Sequence, residues 1–423
     1  MLVQQGFQFR LRRLRGAQER ELVRWMGCAR KVYNLALAAE TALYEAGGKY
    51  PGYKGFCEML TGFKEQYPYL EDPYSQVLQQ SLKDLHRGFV NYFEGRAEKP
   101  TPKKKWRNDS IRIPQNFEVD AINGRVFIPK LASQCSDGKK CEKLGWLRFR
   151  MSRPIMGIPR NITIRRKSGK WYVSIQTQME ALSPIHIHAN DAVGVDMGVV
   201  RFATLSDGSF LEPLSSFKRL ERRLAVAQQK LSRCVKYSSN WKKHCARVSQ
   251  LHIRIANARR DYLHKHSTTI ANNHGYVVME DLQVKEMSKS AKGTVETPGK
   301  NVKAKSELNK AILDQGWYSF RLMLEYKLGW RGGKLILVPP QNTSRQCLCC
   351  GYTDKGNRPS QAQFRCLVCG FEENADVVGA VNILRRGLPH IPQTTREGYS
   401  LVKPLLAPAE TQRAGHAQLP VAA

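Results

Sequence analysis

Two pairs of cysteines near the C-terminal end constrain the fold of this 423-residue chain more than any other feature. In the stretch "CLCCGYTDKGNRPSQAQFRCLVCG", Cys347 and Cys350 form one Cys-x-x-Cys pair, and fifteen residues separate it from the second, Cys366 and Cys369. A glycine follows each pair and allows the tight turn of a knuckle. Four thiolates at this spacing predict one closed, tetrahedral zinc site that is structural, because no coordination position stays open for a substrate.

The remaining cysteines carry a weaker signal. Cys349 lies inside the first knuckle and is predicted to be a bystander. Cys135 and Cys141 in "CSDGKKC" have no second pair nearby, which favours ordinary loop thiols over a metal site. Eleven cysteines in a chain whose N-terminus has no apolar signal-peptide core indicate reduced thiols or metal ligands in the cytoplasm. No apolar run approaches the roughly 18 residues of a membrane span, so no membrane partner is expected.

The charge balance predicts a polyanionic partner. The chain has 68 Lys and Arg against 36 Asp and Glu, a formal net charge of +32, which favours binding to nucleic acid. Residues 215–265 alone contain fourteen Lys and Arg and two acids. The stretch "TPKKKWR" supplies further candidates for phosphate contacts, although a solvated loop has the same composition; these are Lys103, Lys104, Lys105 and Arg107.

Aromatic residues beside basic ones are candidates for stacking on bases. Four of them stand out: Trp106, Trp171, Tyr172 and Trp241. Trp171 and Tyr172 are neighbours in a predicted strand and therefore face opposite ways, so at least one of the two is expected to pack in a core.

The periodicity of the first 185 residues predicts strands around a helical insert. Phe7, Phe9 and Leu11 alternate with polar residues, as in a half-buried strand. From Gln18 the apolar residues repeat with a helical period. Beyond a proline- and lysine-rich break come short β patterns ("SIRI", "RVFIPK", "WLRFR") and a hairpin with Ser168-Gly169 at its turn. These strands are compatible with one β-barrel interrupted by helices.

The second half predicts an α/β unit. It begins with the apolar strand "AVGVD", turns at Asp207-Gly208, and continues through two long basic helices to the strand "YVVMED". A helix ("ELNKAILDQGWYSFRLMLEYKLGW") and a strand ("KLILVPP") come before the cysteines. The polar loop at 284–306 carries six lysines and little apolar area, which predicts a mobile lid or, alternatively, a solvated linker.

Three carboxylates form the second candidate site. Asp196 ends the first strand of this unit, Glu280 ends the second, and Asp376 opens the helix "DVVGAVNIL". Carboxylates that converge over a sheet need cations to stay ionised, and two magnesium ions suit such oxygen ligands and phosphodiester displacement. Taken singly, Asp376 is equally compatible with a helix cap, and Glu280 and Asp196 with turns.

Together these motifs resemble a known family. The segments "VGVDMGV", "VVMEDL", the double Cys-x-x-Cys and "NADVVGAVNIL" occur in the order of the split RuvC-like nuclease domain of transposon-encoded TnpB proteins and of compact type V CRISPR effectors. The segments "KKKWRNDSIRIPQ" and "KWYVSIQT" resemble the TnpB wedge region. The resemblance implies an RNase H-like (RuvC) domain with an inserted zinc ribbon, and an N-terminal wedge β-barrel that carries a helical recognition insert.

The same resemblance implies a function. It assigns Asp196, Glu280 and Asp376 to the catalytic magnesium ions, and the four paired cysteines to zinc. The implied activity is an endonuclease that cuts double-stranded DNA beside a short flanking motif, guided by RNA from the transposon end. The protein would be a monomer with its RNA in a prokaryotic cytoplasm, associated with the nucleoid when bound to DNA.

Two alternatives remain at the level of sequence. One is a DNA-binding regulator of the same fold that does not cut, and the other is an accessory transposase. The His-x-His of "HIHAND" (His186 and His188) weakly matches a transposase motif, but it lies in a predicted interdomain linker.

The predicted domain boundaries follow these motifs. They are a first wedge strand at 1–14, a helical insert at 15–103, the rest of the wedge at 104–185, the nuclease domain at 186–342, the zinc finger at 343–371, the last nuclease helix at 372–390 and a disordered tail at 391–423.

Overall fold

A computed structural model describes residues 2–105, 109–129, 144–180, 192–294 and 296–391. The chain divides into two compact units, Met1–Ala181 and Leu182–Ala423. Several residues singled out above lie outside the described residues: Trp106, Arg107, Cys135, Cys141, His186, His188 and the tail after Ile391. Among the helices that are described, none has both the length and the apolarity to cross a membrane.

The first unit is a sheet interrupted by helices, as its periodicity predicts. Its elements in chain order are β1 (Leu2–Leu11), α1 (Gly16–Glu45), α2 (Gly52–Gln66), α3 (Ser75–Phe93), β2 (Ser110–Ile113), β3 (Glu118–Asp120), β4 (Arg125–Ile128), β5 (Gly145–Arg150), β6 (Ile158–Lys167) and β7 (Lys170–Glu180). A short 3-10 turn, Pro68–Glu71, joins α2 to α3. The seven strands pair in the order β2-β6-β7-β1-β5-β4-β3, each antiparallel to its neighbours.

This sheet curls around a single apolar core. Ile111 of β2 and Val126 of β4 lie near opposite edges of the sheet, yet both belong to the same buried cluster. The cluster also takes up Trp25 from α1, which attaches the helical insert to the sheet. Trp171 is part of this core and only 7% exposed, which confirms the prediction that at least one of the neighbours Trp171 and Tyr172 packs in a core and removes Trp171 from the candidates for stacking on bases. Its apolar strand position outweighs its basic neighbours.

The second unit is an α/β domain built on a mixed sheet. Its elements are β8 (Ala192–Met197), β9 (Ala203–Leu205), β10 (Phe210–Leu211), α4 (Ser216–Ser232), α5 (Ser239–Asn273), β11 (Tyr276–Glu280), α6 (Val284–Met287), α7 (Val302–Gln315), α8 (Trp317–Gly329), β12 (Lys334–Val338), β13 (Gln363–Arg365), β14 (Glu372–Asn374) and α9 (Ala375–Gly387). Two 3-10 turns, Lys355–Asn357 and Leu388–His390, complete it.

Sheet register brings two of the predicted site residues to one edge. The five strands run in the order β10-β9-β8-β11-β12, and β8, β11 and β12 are parallel. Val195 of β8 pairs with Met279 of β11, so the next residues, Asp196 and Glu280, lie on neighbouring strands at the carboxyl edge of the sheet. Helix α9 packs across β8, where Gly194 lets the two backbones meet. A Cβ at that position would lie 2.1 Å from the carbonyl oxygen of Ala380.

Two sequence predictions in this unit need correction. The stretch predicted as one helix after the polar loop is two helices, α7 and α8, because Gly316 between them adopts the left-handed conformation (φ +75°). The loop at 284–306 is also less free than predicted. It begins with the helical turn α6, which packs partly on the core, and its last residues already belong to α7. Lys305 Nζ further donates to the carbonyl oxygen of Met287 at 2.7 Å.

Candidate metal centres

Asp196 lies within β8, where it pairs with Thr204, so it is not a turn residue. Its carboxylate reaches the face of α9 at Gly379. A Cβ added to Gly379 would lie 2.8 Å from Asp196 Oδ2. Gly379 therefore leaves the space that this carboxylate occupies. The two glycines serve different contacts: Gly194 in "VGVD" lets the backbone of α9 approach β8, and Gly379 in "VVGAV" makes room for the Asp196 side chain.

A relay of hydrogen bonds holds Glu280. The hydroxyl of Thr343, a buried residue, donates to Glu280 Oε1 at 2.5 Å. Asn382 on α9 is buried as well, and its Nδ2 donates to the carbonyl oxygens of Thr343 and Gln346, both at 2.8 Å. Asn382 of α9 thus fixes the backbone at Thr343, and the Thr343 hydroxyl orients Glu280.

Asp376 is not the cap of its helix, although the sequence allowed that reading. The cap of α9 is Asn374, whose side-chain oxygen accepts from the backbone N–H of Asp376 at 3.0 Å and of Val377 at 3.4 Å. The Asp376 carboxylate is therefore available to other partners. Arg358 donates to its Oδ1 at 3.1 Å.

The electrostatics of the three carboxylates are those of a site that would attract cations. Removal from water raises the pKa of Asp196 well above its ordinary value, and Glu280 and Asp376 raise it further while Arg358 lowers it. Burial also raises the pKa of Glu280, against the hydrogen bond from Thr343 and the charge of Arg386. A divalent cation bound by the three carboxylates would offset the burial and the mutual repulsion that raise these pKa values. Oxygen donors are the ligands that magnesium prefers.

The three carboxylates approach one another less closely than the cysteines do. Among the described residues, the cysteine group is the set of three or more Cys, His, Asp or Glu ligand atoms found mutually within 4.8 Å.

The paired cysteines form a second site, between β12 and α9. Cys347 Sγ lies 3.6 Å from Cys369 Sγ, and Cys350 Sγ lies 3.5 Å from Cys366 Sγ. Four thiolates around zinc at about 2.3 Å would be separated by about 3.8 Å, so the group fits a tetrahedral ion. Backbone N–H groups, that of Cys369 foremost, lower the pKa of Cys366 to about 6, which favours the thiolate. Cys349 is exposed and outside this group.

The lysines predicted to contact phosphate differ in their surroundings. The Lys103 ammonium lies 3.9 Å from the centre of the Tyr33 ring, and burial lowers its pKa. Asn34 fixes its backbone, since Lys103 N donates to Asn34 Oδ1 at 2.8 Å. By whole-residue exposure, Lys103 is exposed, as are Lys104 and Lys105, so its ammonium lies over the ring at the protein surface.

Sequence reasoning missed three residues of the carboxylate site: Thr343, Arg358 and Asn382. Each acts across a sequence gap that no short motif spans, and Thr343 meets Glu280 across 63 residues. The only local signal was an amide, Asn382, on the otherwise apolar face of α9.

The architecture defines the class of this protein. Its fold is similar to that in the "Cryo-EM structure of the Cas12f1-sgRNA-target DNA complex", with a TM-score of 0.57 and 15% sequence identity over 87% of this chain and 82% of that one. The model of a "Cas12f1-like, TNB domain" matches residues 317–383, which include the four paired cysteines. The chain thus has a Cas12f-like fold with a four-cysteine group.

Sequence comparison then gives the family. Residues 174–291 match OrfB_IS605, described as "Probable transposase", and residues 1–49 match its "Helix-turn-helix domain". The chain is 49% identical to "Putative RNA-guided DNA endonuclease InsQ" of Escherichia coli over 90% of its length and 92% of that protein. It is 32% identical to a protein of Streptomyces pristinaespiralis described as "Putative RNA-guided DNA endonuclease", over 88% and 86% of the two chains. The chain belongs to the transposon-encoded TnpB (OrfB_IS605) family, as its motifs predict.

Proposed function

We propose that this protein is an RNA-guided DNA endonuclease that hydrolyses phosphodiester bonds at the Asp196, Glu280 and Asp376 site. The observation that supports this most directly is the electrostatic interaction among the three carboxylates, since Glu280 and Asp376 both raise the pKa of the buried Asp196. Relatives described as RNA-guided DNA endonucleases match nearly the whole chain. In this proposal the second unit is the RuvC-like nuclease domain, and the curled sheet of the first unit is the wedge that carries the helical insert.

The carboxylates would hold the catalytic magnesium ions. When bound, such ions supply positive charge to the attacking and leaving oxygens of a phosphodiester displacement. The chain's own residues position the ligands. Gly379 leaves room for Asp196, Thr343 orients Glu280, and Asn374 caps α9 so that the Asp376 carboxylate faces the site. The four paired cysteines would hold a structural zinc ion that fixes the segment from Thr343 to Arg358 beside the carboxylates.

Guide RNA and target DNA would bind through the basic surface. Between Arg222 and Arg260 the chain carries eleven Lys and Arg and no acid, and most of these side chains are exposed. Lys103, Lys104 and Lys105 would add phosphate contacts, and the ammonium of Lys103 lies over the Tyr33 ring. Contacts of this kind give affinity that falls steeply with salt and leave sequence recognition to guide pairing and a short flanking motif.

The segment at 284–306 would gate the site. It begins four residues after Glu280, and hydrogen bonds from Lys305 to Met287 and from Asn309 to Lys289 anchor it, so the part that would move lies within 289–301. Hydrogen exchange measures this: the amides of 289–301 should slow when guide RNA and matched DNA bind. Equal exchange in both states, together with normal cutting by a shortened loop, would leave the segment a linker.

The test of the function is cleavage of a matched plasmid by protein purified with its copurifying RNA. Asp196→Ala, Glu280→Ala and Asp376→Ala should each abolish cutting in magnesium, with guide RNA and DNA binding retained. Asp281→Ala is the matched control, since Asp281 follows Glu280 but pairs with Arg321 at 2.7 Å. A chain that binds matched DNA and never cuts it would instead be the non-cleaving regulator.

A further inference from the structure

An aromatic pair stands at the tip of the α4–α5 hairpin. The hairpin tip, residues 233–241, connects the two helices with the sequence "RCVKYSSNW". Tyr237 and Trp241 place their ring centres 5.4 Å apart at an interplanar angle of 51°. Tyr237 is 75% exposed, and Val235 beside it is 80% exposed. The apolar contacts that join the two helices involve other residues: Leu224, Ala227, Leu251 and Ile255.

The backbone conformation at position 237 does not explain why the residue there is a tyrosine. Tyr237 has a φ of +69°, in the left-handed region that favours glycine and asparagine over a bulky aromatic side chain. Ser238 caps α5, and its hydroxyl accepts from the N–H of Trp241 at 3.1 Å, which fixes where that ring begins. A hydrophobic pair at a helix N-terminus normally buries apolar surface. Tyr237 is too exposed to bury much of its ring in this way. A strained, exposed aromatic residue on a fixed support is typical of a contact site.

The charges around the tip select the partner. Four exposed cations lie close to the two rings in the sequence: Arg233, Lys236, Lys242 and Lys243. An exposed ring such as Tyr237 beside cations is the combination that binds single-stranded nucleic acid, because a base stacks on the ring while its phosphates meet the charges. RNA presents such unstacked bases in its loops, whereas both strands of a target duplex are paired before recognition.

We propose that the hairpin tip binds an unpaired loop of the guide RNA, with one base stacked on the Tyr237–Trp241 pair and its flanking phosphates on the four cations. The proposal rests on the proposed function for the identity of the RNA. It adds to that function a stacking site that would hold the guide independently of its pairing with the target.

The first test is binding of a fluorescein-labelled 15-nucleotide oligouridine to the full chain freed of nucleic acid, across a series of salt concentrations. Replacing both rings (Tyr237→Leu with Trp241→Leu) keeps an apolar pair and removes stacking. We expect the Kd to rise about five- to twentyfold at every salt concentration, with an unchanged slope of log K against log salt. Phenylalanine at both positions should restore binding to within about threefold. Tyr318→Leu, at another exposed tyrosine, is the matched control.

The second test identifies the strand in contact. Guide RNA transcribed with 4-thiouridine, or target DNA carrying 4-thiothymidine, is crosslinked to the Asp196→Ala chain, and the attached peptide is sequenced. RNA crosslinks at 233–241 support the proposal. Crosslinks from DNA alone, an unchanged Kd in the leucine pair, or a loss that phenylalanine does not restore would overturn it. Neither test needs cleavage, so an active Asp196→Ala chain would refute the proposed function and leave this result unaffected.

Discussion

Gly379→Ala should separate the stability of the fold from the chemistry of the site. Gly379 lies inside α9 with ordinary helical backbone angles, where alanine is intrinsically favoured over glycine by about 1 kcal/mol. The added Cβ would meet Asp196 Oδ2 at 2.8 Å, and ordinary contact begins at 3.4 Å. The carboxylate must therefore retreat by about 0.6 Å, which is the difference between those two distances. Because that oxygen ends a flexible side chain, the cost in stability is small.

Activity is expected to respond far more than stability. A displacement of the order of 1 Å in a reacting group costs roughly 100-fold in rate, so plasmid cleavage by guide-loaded Gly379→Ala should fall by about that factor. Its melting temperature should stay within a few degrees of the parent, and its affinity for matched DNA should not change. Cleavage is measured under single-turnover conditions, so that slow product release does not mask the effect.

Two other glycines supply the controls. Gly62 lies within α2 and has open space where a Cβ would stand, so Gly62→Ala should melt no lower than the parent and cut normally. Gly194→Ala would clash with the backbone of Ala380 and should lose stability and activity together, by about 1–3 kcal/mol or more in stability. If Gly379→Ala cuts at the parental rate, the position of the Asp196 carboxylate does not matter and the assignment of that site fails.

Three further outcomes are expected. The purified chain should contain one zinc ion, and Cys366→Ser should lose it and expose 343–371 to protease; a metal-free parent prepared without chelator would contradict this. Thr343→Val should slow cleavage about tenfold by releasing Glu280, with Thr343→Ser near the parental rate, and equal rates for the two would refute the role of the hydroxyl. Burial lowers the pKa of Lys327 from 10.5 to about 8, so the folded chain releases a proton that the unfolded chain keeps. The melting temperature of the parent should therefore rise relative to Lys327→Met as pH increases from 8 to 10.5, and a constant difference would refute that pKa.

Much of the fold followed from local patterns, because those patterns are set by contacts near in sequence. Alternation at Phe7, Phe9 and Leu11 predicted β1, and the helical period after Gln18 predicted α1. The Ser168-Gly169 turn holds two consecutive positive φ angles, as a tight hairpin requires. The break between α7 and α8 escaped prediction, since Gly316 sits inside an apolar pattern that continues across it.

The sequence by itself determined the candidate ligands of each proposed site, because the Cys-x-x-Cys spacing and a carboxylate at the end of an apolar strand indicate metal ligands before any fold is known. Only the tertiary structure decided how those ligands are held. Thr343 and Arg358 bond to Glu280 and Asp376 from the segment between β12 and α9, and Asn382 of α9 holds the backbone of Thr343; α9 itself packs against β8. That packing in turn depends on Gly194, because the absence of a side chain there lets the backbones of β8 and α9 meet. The sequence alone gives no sign of this contact, since the two segments are far apart along the chain.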